Sequence, residues 1–202
     1  QGRCRILAHR GASAVAPEGT RAAIREAVRA GADGVELDVQ MTADERLVIM
    51  HDDRLERTTD GTGWVARMRY AQLARLDIGR WFHPRFSGER VLLASSVFQM
   101  VPLRMMVNLE LKRTSRRRAL VCRMLRLASR AHRPHLLLSS FDPALIARLA
   151  AARLPVALIA RRHPTRSLQQ AIRLRCAAWH PAEALVTPQR IAQAHAAGLR
   201  VH

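Results

Sequence analysis

The sequence predicts an α/β protein built as a TIM-type (β/α)8 barrel, and three observations predict it. Short apolar runs alternate with longer helical patterns almost from end to end of the 202 residues, which implies a parallel sheet covered by helices. Eight strand-like runs suit a closed barrel better than an open sheet. A doubly wound sheet would want a glycine-rich phosphate loop early, and Gly11-Ala12-Ser13-Ala14 is too weak to be one. The length fits a single domain over 1–202.

In order along the chain, Cys4–His9 is apolar and closes on His9-Arg10-Gly11. A helix over Thr20–Ala30 follows, with Thr20 as N-cap and Gly31 as its stop. Gly34–Gln40 and Leu47–His51 read as the second and third strands. Residues 52–106 are too long for one βα connection and hold clustered Gly, Trp and Phe, so an inserted lid or small subdomain is expected there. Val107–Lys112 is a fourth strand, and Arg116–Ala131 is a helix opening on a solvated run of arginines. His135–Phe141, Val156–Ala160 and Ala177–His180 are strands. They are separated by helices over Pro143–Ala152 and Arg166–Arg175, with Pro143 in the first turn of one and Thr165 as N-cap of the other. A last helix, Pro188–Ala197, opens on Pro188 and stops at Gly198. Leu199–His202 begins an eighth strand. The barrel is therefore expected to have its eighth strand and helix truncated, since the fold typically needs about 250 residues. Unpaired strand edges of that kind predict marginal stability or homo-oligomerisation.

The net charge of +18 is unevenly placed: residues 1–89 hold 14 Arg and 13 acids, residues 90–202 hold 20 basic residues and three acids. Such a field concentrates anions. It does not make a dedicated nucleic-acid binder, because the eight aromatics do not interleave with the basic runs. No run of eighteen apolar residues suggests a membrane span, and no secretory leader is visible. Cys4, Cys122 and Cys176 lack metal-ligand spacing and are odd in number, so a cytoplasmic home is expected. Lys112 is the one lysine against 33 arginines, two residues from Glu110, which marks it as chosen for chemistry.

Polar side chains gather at strand ends, where a barrel keeps its active site. His9 and Arg10 close the first run and His51-Asp52 the third; Glu36 and Asp38 lie two apart, as do Glu110 and Lys112. Period-two alternation puts each spaced pair on one strand face. Carboxylates inside apolar strands are expensive unless paired. Glu36, Asp38 and Glu110 offer an all-oxygen set for Mg²⁺ or Ca²⁺; the competing account is ion pairing with Arg10 and Lys112. A cation, two imidazoles and two basic side chains suit phosphodiester cleavage, with one His as general base and the other as general acid.

The strings His9-Arg10-Gly11, Pro17-Glu18, Glu36-x-Asp38, His51-Asp52, Leu55 to Gly63 and Glu110-x-Lys112 resemble the glycerophosphodiester phosphodiesterases, most of all the bacterial cytosolic type. The resemblance implies hydrolysis of glycerophosphocholine, glycerophosphoethanolamine and similar diesters to sn-glycerol 3-phosphate and an alcohol. It also implies His9 and His51 as the acid/base pair, Glu36, Asp38 and Glu110 as ligands of a divalent cation, Arg10 and Lys112 as phosphate contacts, and Glu18 as a supporting residue. Gly19 departs from the family's usual Asn, and Arg90–Met100 departs from its usual Pro-Thr-Leu-Glu-Glu segment. The chain also ends before the family's aromatic-Thr-Val-Asn segment. Two other functions stay open: a phospholipase D-like enzyme acting on lysophospholipids, and an inactive paralogue that binds anions or a partner.

Overall fold

In the computed structural model, which describes residues 4–202, β1 (Leu7–His9) lies parallel to β2 (Gly34–Met41), with Leu7 opposite Gly34 and His9 opposite Glu36. The crossover between them is α1 (Arg21–Arg29). Thr20 caps it, its hydroxyl accepting from the Ala23 amide at 3.1 Å while donating to the Pro17 carbonyl at 2.6 Å. Gly31, at φ 72°, takes the left-handed turn that ends it.

The other edge of β2 pairs in parallel with β4 (Met106–Leu111), Glu36 opposite Asn108 and Asp38 opposite Glu110. Gly34 makes this approach feasible, because a Cβ there would lie 2.6 Å from the Met106 carbonyl oxygen. Val35, Leu37, Val39, Val107 and Leu109 are buried on one face. The alternate positions, carrying the charged side chains, share the other.

The third run is corrected. β3 (Leu47–Ile49) runs antiparallel to β2, with Met41 opposite Leu47. It is the return arm of a hairpin and not a parallel barrel strand. Five residues, 42–46, join the two strands, whereas a parallel crossover needs about a dozen. Thr42 closes the turn, accepting from the Arg46 amide at 2.9 Å and donating to Asp44 at 2.6 Å, and Glu45 adopts φ 58°.

The long connection after β3 has structure of its own. It holds 3-10 turns at Val65–Arg67 and Pro84–Phe86, and the short helices α2 (Tyr70–Leu73) and α3 (Ala94–Met100). Leu55, Val65, Leu73, Ile78 and Val91 pack with Val48 and Met50 into a separate apolar cluster. The altered 90–100 segment thus still makes a helix, although Leu93 at its N-cap supplies no side-chain bond. After β4 comes α4 (Arg117–Ala131), the last helix of a compact unit that ends at Leu136.

The second unit, Leu137–His202, repeats strand and helix. β5 (Leu136–Ser140), β6 (Val156–Ala160), β7 (Ala178–Pro181) and β8 (Arg200–Val201) pair in parallel in sequence order. Between them run α5 (Pro143–Ala151), α6 (Pro164–Arg173) and α7 (Pro188–Ala196), each with proline in its first turn. Thr165 is not a cap: Pro164 already occupies the first turn and His163, at φ 53°, precedes it as N-cap. Trp179 is fully buried and its indole N–H donates to Ser167 on α6 at 3.2 Å. With β3 set apart, parallel pairing joins three strands in the first unit and four in the second. No helix among them is long and apolar enough to cross a membrane.

Candidate active site

All eight residues singled out from the sequence lie in the first unit. The β1–β2–β4 register puts His9, Glu36 and Asn108 in one row, with Asp38 and Glu110 in the next. Glu36, Asp38 and Glu110 each offer a carboxylate oxygen, all within 4.8 Å of one another. Arg10 follows β1 at φ 57°, which turns its backbone N–H onto Glu36 at 3.2 Å. Gly11, at φ 78°, completes the turn beneath it; a Cβ there would lie 2.8 Å from the backbone of Ala23.

Two cations enter the acidic cluster. The Lys112 ammonium sits 2.7 Å from Asp38 and 2.5 Å from Glu110. Burial acts to lower its pKa, but these two carboxylates outweigh burial and hold it above its ordinary value. The Arg10 guanidinium reaches Asp38 at 3.5 Å and Glu18 at 3.1 Å. Glu36 receives no such partner. Its Oε1 is buried with no hydrogen bond, and burial together with the charge of Asp38 raises its pKa to about 8.

Buried polar atoms are normally paired. Two such orphans belong to this one face, Glu36 Oε1 and Asn108 Oδ1. The Glu36 oxygen is an acceptor lacking a positive partner beside two further carboxylates, and that donor set fits a hard divalent cation bound through oxygen. Ion pairing with Lys112 and Arg10 accounts for Asp38 and Glu110 but leaves Glu36 unsatisfied.

The two histidines differ in setting. His9 lies 3.8 Å from Glu36, and partial burial followed by the charge of Arg10 lowers its pKa from the ordinary value. His51 follows β3, with its Nδ1 2.5 Å from Asp52. It lines a small cavity of about 10 Å³ together with Arg10, Glu18, Gly19 and Asp38. Gly19 adopts φ 69°, a left-handed backbone open to glycine and asparagine alike.

Sequence reasoning assigned no role to Gln40 or Arg57. Gln40 continues the Glu36–Asp38 alternation, and its amide donates to the carbonyls of His51 at 3.2 Å and Asp52 at 2.5 Å, tying the His51 loop to β2. Period two was the available signal. Arg57 sits within the Leu55 to Gly63 run and bonds both Asp52 and Glu18. Only a structure reveals that contact, since 39 residues separate Arg57 from Glu18.

Residues 9–202 match the Glycerophosphoryl diester phosphodiesterase family. The YhdW protein of Bacillus subtilis is 46% identical over 107 residues, which cover 53% of this chain and 44% of the relative. A glycerophosphodiester phosphodiesterase of Caldanaerobacter subterraneus is 43% identical over 108 residues, again 53% and 44%. The chain thus spans less than half the length of these curated relatives. An Oleispira antarctica phosphodiesterase, solved in complex with the product sn-glycerol-3-phosphate, superposes with a TM-score of 0.90 at 29% identity, covering 98% of this chain and 83% of that one.

Proposed function

The chain belongs to the glycerophosphoryl diester phosphodiesterase family, with the TIM-barrel-like α/β fold of its solved relatives, and from that premise we propose that it hydrolyses glycerophosphodiesters to sn-glycerol 3-phosphate and an alcohol. The observation that carries this reading is the cluster of Glu36, Asp38 and Glu110 within 4.8 Å, holding a buried unpaired oxygen beside His9.

Glu36, Asp38 and Glu110 would hold a divalent cation, which when bound polarises a phosphoryl oxygen and offsets the charge that builds on it. Arg10 and Lys112 bind the remaining nonbridging oxygens through positive charge already held in place by carboxylates. His51, with Nδ1 facing Asp52, keeps Nε2 free for proton transfer. His9, whose pKa lies below its ordinary value, is the second imidazole available for proton transfer. One imidazole removes a proton from the attacking hydroxyl and the other protonates the leaving alkoxide.

Glycerol 3-phosphate release from glycerophosphocholine, assayed across a panel of divalent cations, tests the reading. Turnover is expected with Mg²⁺ or Ca²⁺, with loss in EDTA and loss in His9→Ala and His51→Ala. Full turnover in excess chelator, or none with any cation, overturns it.

A further inference from the structure

Arg57 stands outside the groups given to the cation, the phosphate and proton transfer, yet its guanidinium engages two carboxylates at once. Nε and Nη2 donate to Asp52 at 2.5 and 3.1 Å, while Nη1 and Nη2 donate to Glu18 at 2.9 and 2.6 Å. Glu18 is in turn anchored by Arg10 at 3.1 Å. Asp52 holds His51 Nδ1. An unbroken series of contacts therefore runs from His51 through Asp52, Arg57 and Glu18 to Arg10.

The geometry points to Arg57 as a positioning residue, one that fixes the Asp52 carboxylate and through it the tautomer and orientation of the His51 ring. The role in turnover rests on the phosphodiesterase reading above; the contact with Asp52 does not. Without a second partner, Asp52 could swing about its own side-chain bonds and His51 would follow. The planar fork of arginine suits the task because it bridges two carboxylates with parallel bonds, a geometry lysine lacks. Arg57 is 44% exposed, and exposed pairs contribute little to stability. Removing it therefore separates positioning from folding.

The charged groups facing His51 are Asp52 beside it, Glu18, Arg10 and His9 from the β1 side, and Asp38 from β2. With Arg57 gone, the negative charge of Asp52 is no longer shared, and the imidazolium form of His51 gains. Whichever form of His51 works in turnover, the pH limb it governs then moves to higher pH.

NMR titration of the His51 ring in the full chain, wild type against Arg57→Gln, decides the matter without reference to turnover. The His51 midpoint is expected to rise by roughly one pH unit. In the glycerol 3-phosphate assay, kcat is expected to fall on the order of 10- to 100-fold with KM little changed, and the matching limb of the kcat–pH profile to shift upward. Arg57→Lys keeps the charge but loses the paired bonds that the guanidinium makes to each carboxylate, so it should show a smaller shift in the same direction and a partial recovery of kcat. It also carries the titration if Arg57→Gln does not fold. An unchanged His51 midpoint in the variant that folds overturns the proposal. An inactive wild type would instead sink the phosphodiesterase reading, and the titration would still decide the contact.

Discussion

Glu36 concentrates the electrostatic tension of the site. Its carboxyl rises from an ordinary 4.5 to about 8 because it is buried next to Asp38, with no cationic side chain to pair it. Between those values the folded chain holds a proton on Glu36 that the unfolded chain has released. Stability is therefore lost as pH rises through that window. Metal-free protein should show a melting temperature that declines from pH 5 to 8, and Glu36→Gln, which cannot ionise, should flatten the decline. Millimolar Mg²⁺ or Ca²⁺ at pH 8 should raise the melting temperature of the wild type and not of Glu36→Gln. Differential scanning calorimetry across pH reads all three, and a flat wild-type profile would refute the assignment. At this scale much was legible in the sequence. Alternation alone placed Glu36 with Asp38 and Glu110 with Lys112, because side-chain direction in a strand follows position. The same alternation extends to the face of Gln40, but its partners in the His51 loop and the contacts of Arg57 were not legible, since each depends on where a loop returns in space.

The turn between β1 and α1 carries His9 and Arg10, and its shape rests on two residues that touch no substrate. Thr20 is fully buried and satisfies the Ala23 amide at the helix start. Thr20→Ala is expected to destabilise the protein by about 1–2 kcal/mol, read as a lowered midpoint in urea with an unchanged slope. Gly11 combines positive φ with backbone contact. Gly11→Ala must displace α1 or the turn, and should cost about 1–3 kcal/mol and impair turnover as Arg10 shifts. Helix starts were readable from the sequence where Pro or Thr marks them, at Thr20, Pro143 and Pro188. At α6 proline overrode the neighbouring threonine. The direction of β3 was misread for a different reason. An apolar run reveals that a strand exists, whereas its direction is set by the connection, and the five residues of 42–46 allow only a hairpin.

Charge acts over the molecule as a whole. Most residues that form the site come from residues 1–89, where 14 Arg nearly balance 13 acids; Glu110 and Lys112 lie beyond residue 89, with the surplus that makes the net charge +18. The local cluster itself has no surplus of positive charge, with Arg10 and Lys112 set among Glu18, Glu36, Asp38 and Glu110. Capture of a phosphodiester with a net negative charge should then draw on the chain's net positive charge at long range and on the local contacts at short range. These two are separable by salt. Charges more than about 10 Å away are largely screened at 0.1 M ionic strength, whereas contacts within the partly buried site are screened much less. kcat/KM for a glycerophosphodiester with an uncharged alcohol, which carries a net negative charge, should fall several-fold between low and physiological ionic strength, while kcat stays level. If kcat falls in parallel, salt is weakening the bonds of Arg10 and Lys112 themselves, and long-range attraction by the basic portion has no part in catalysis.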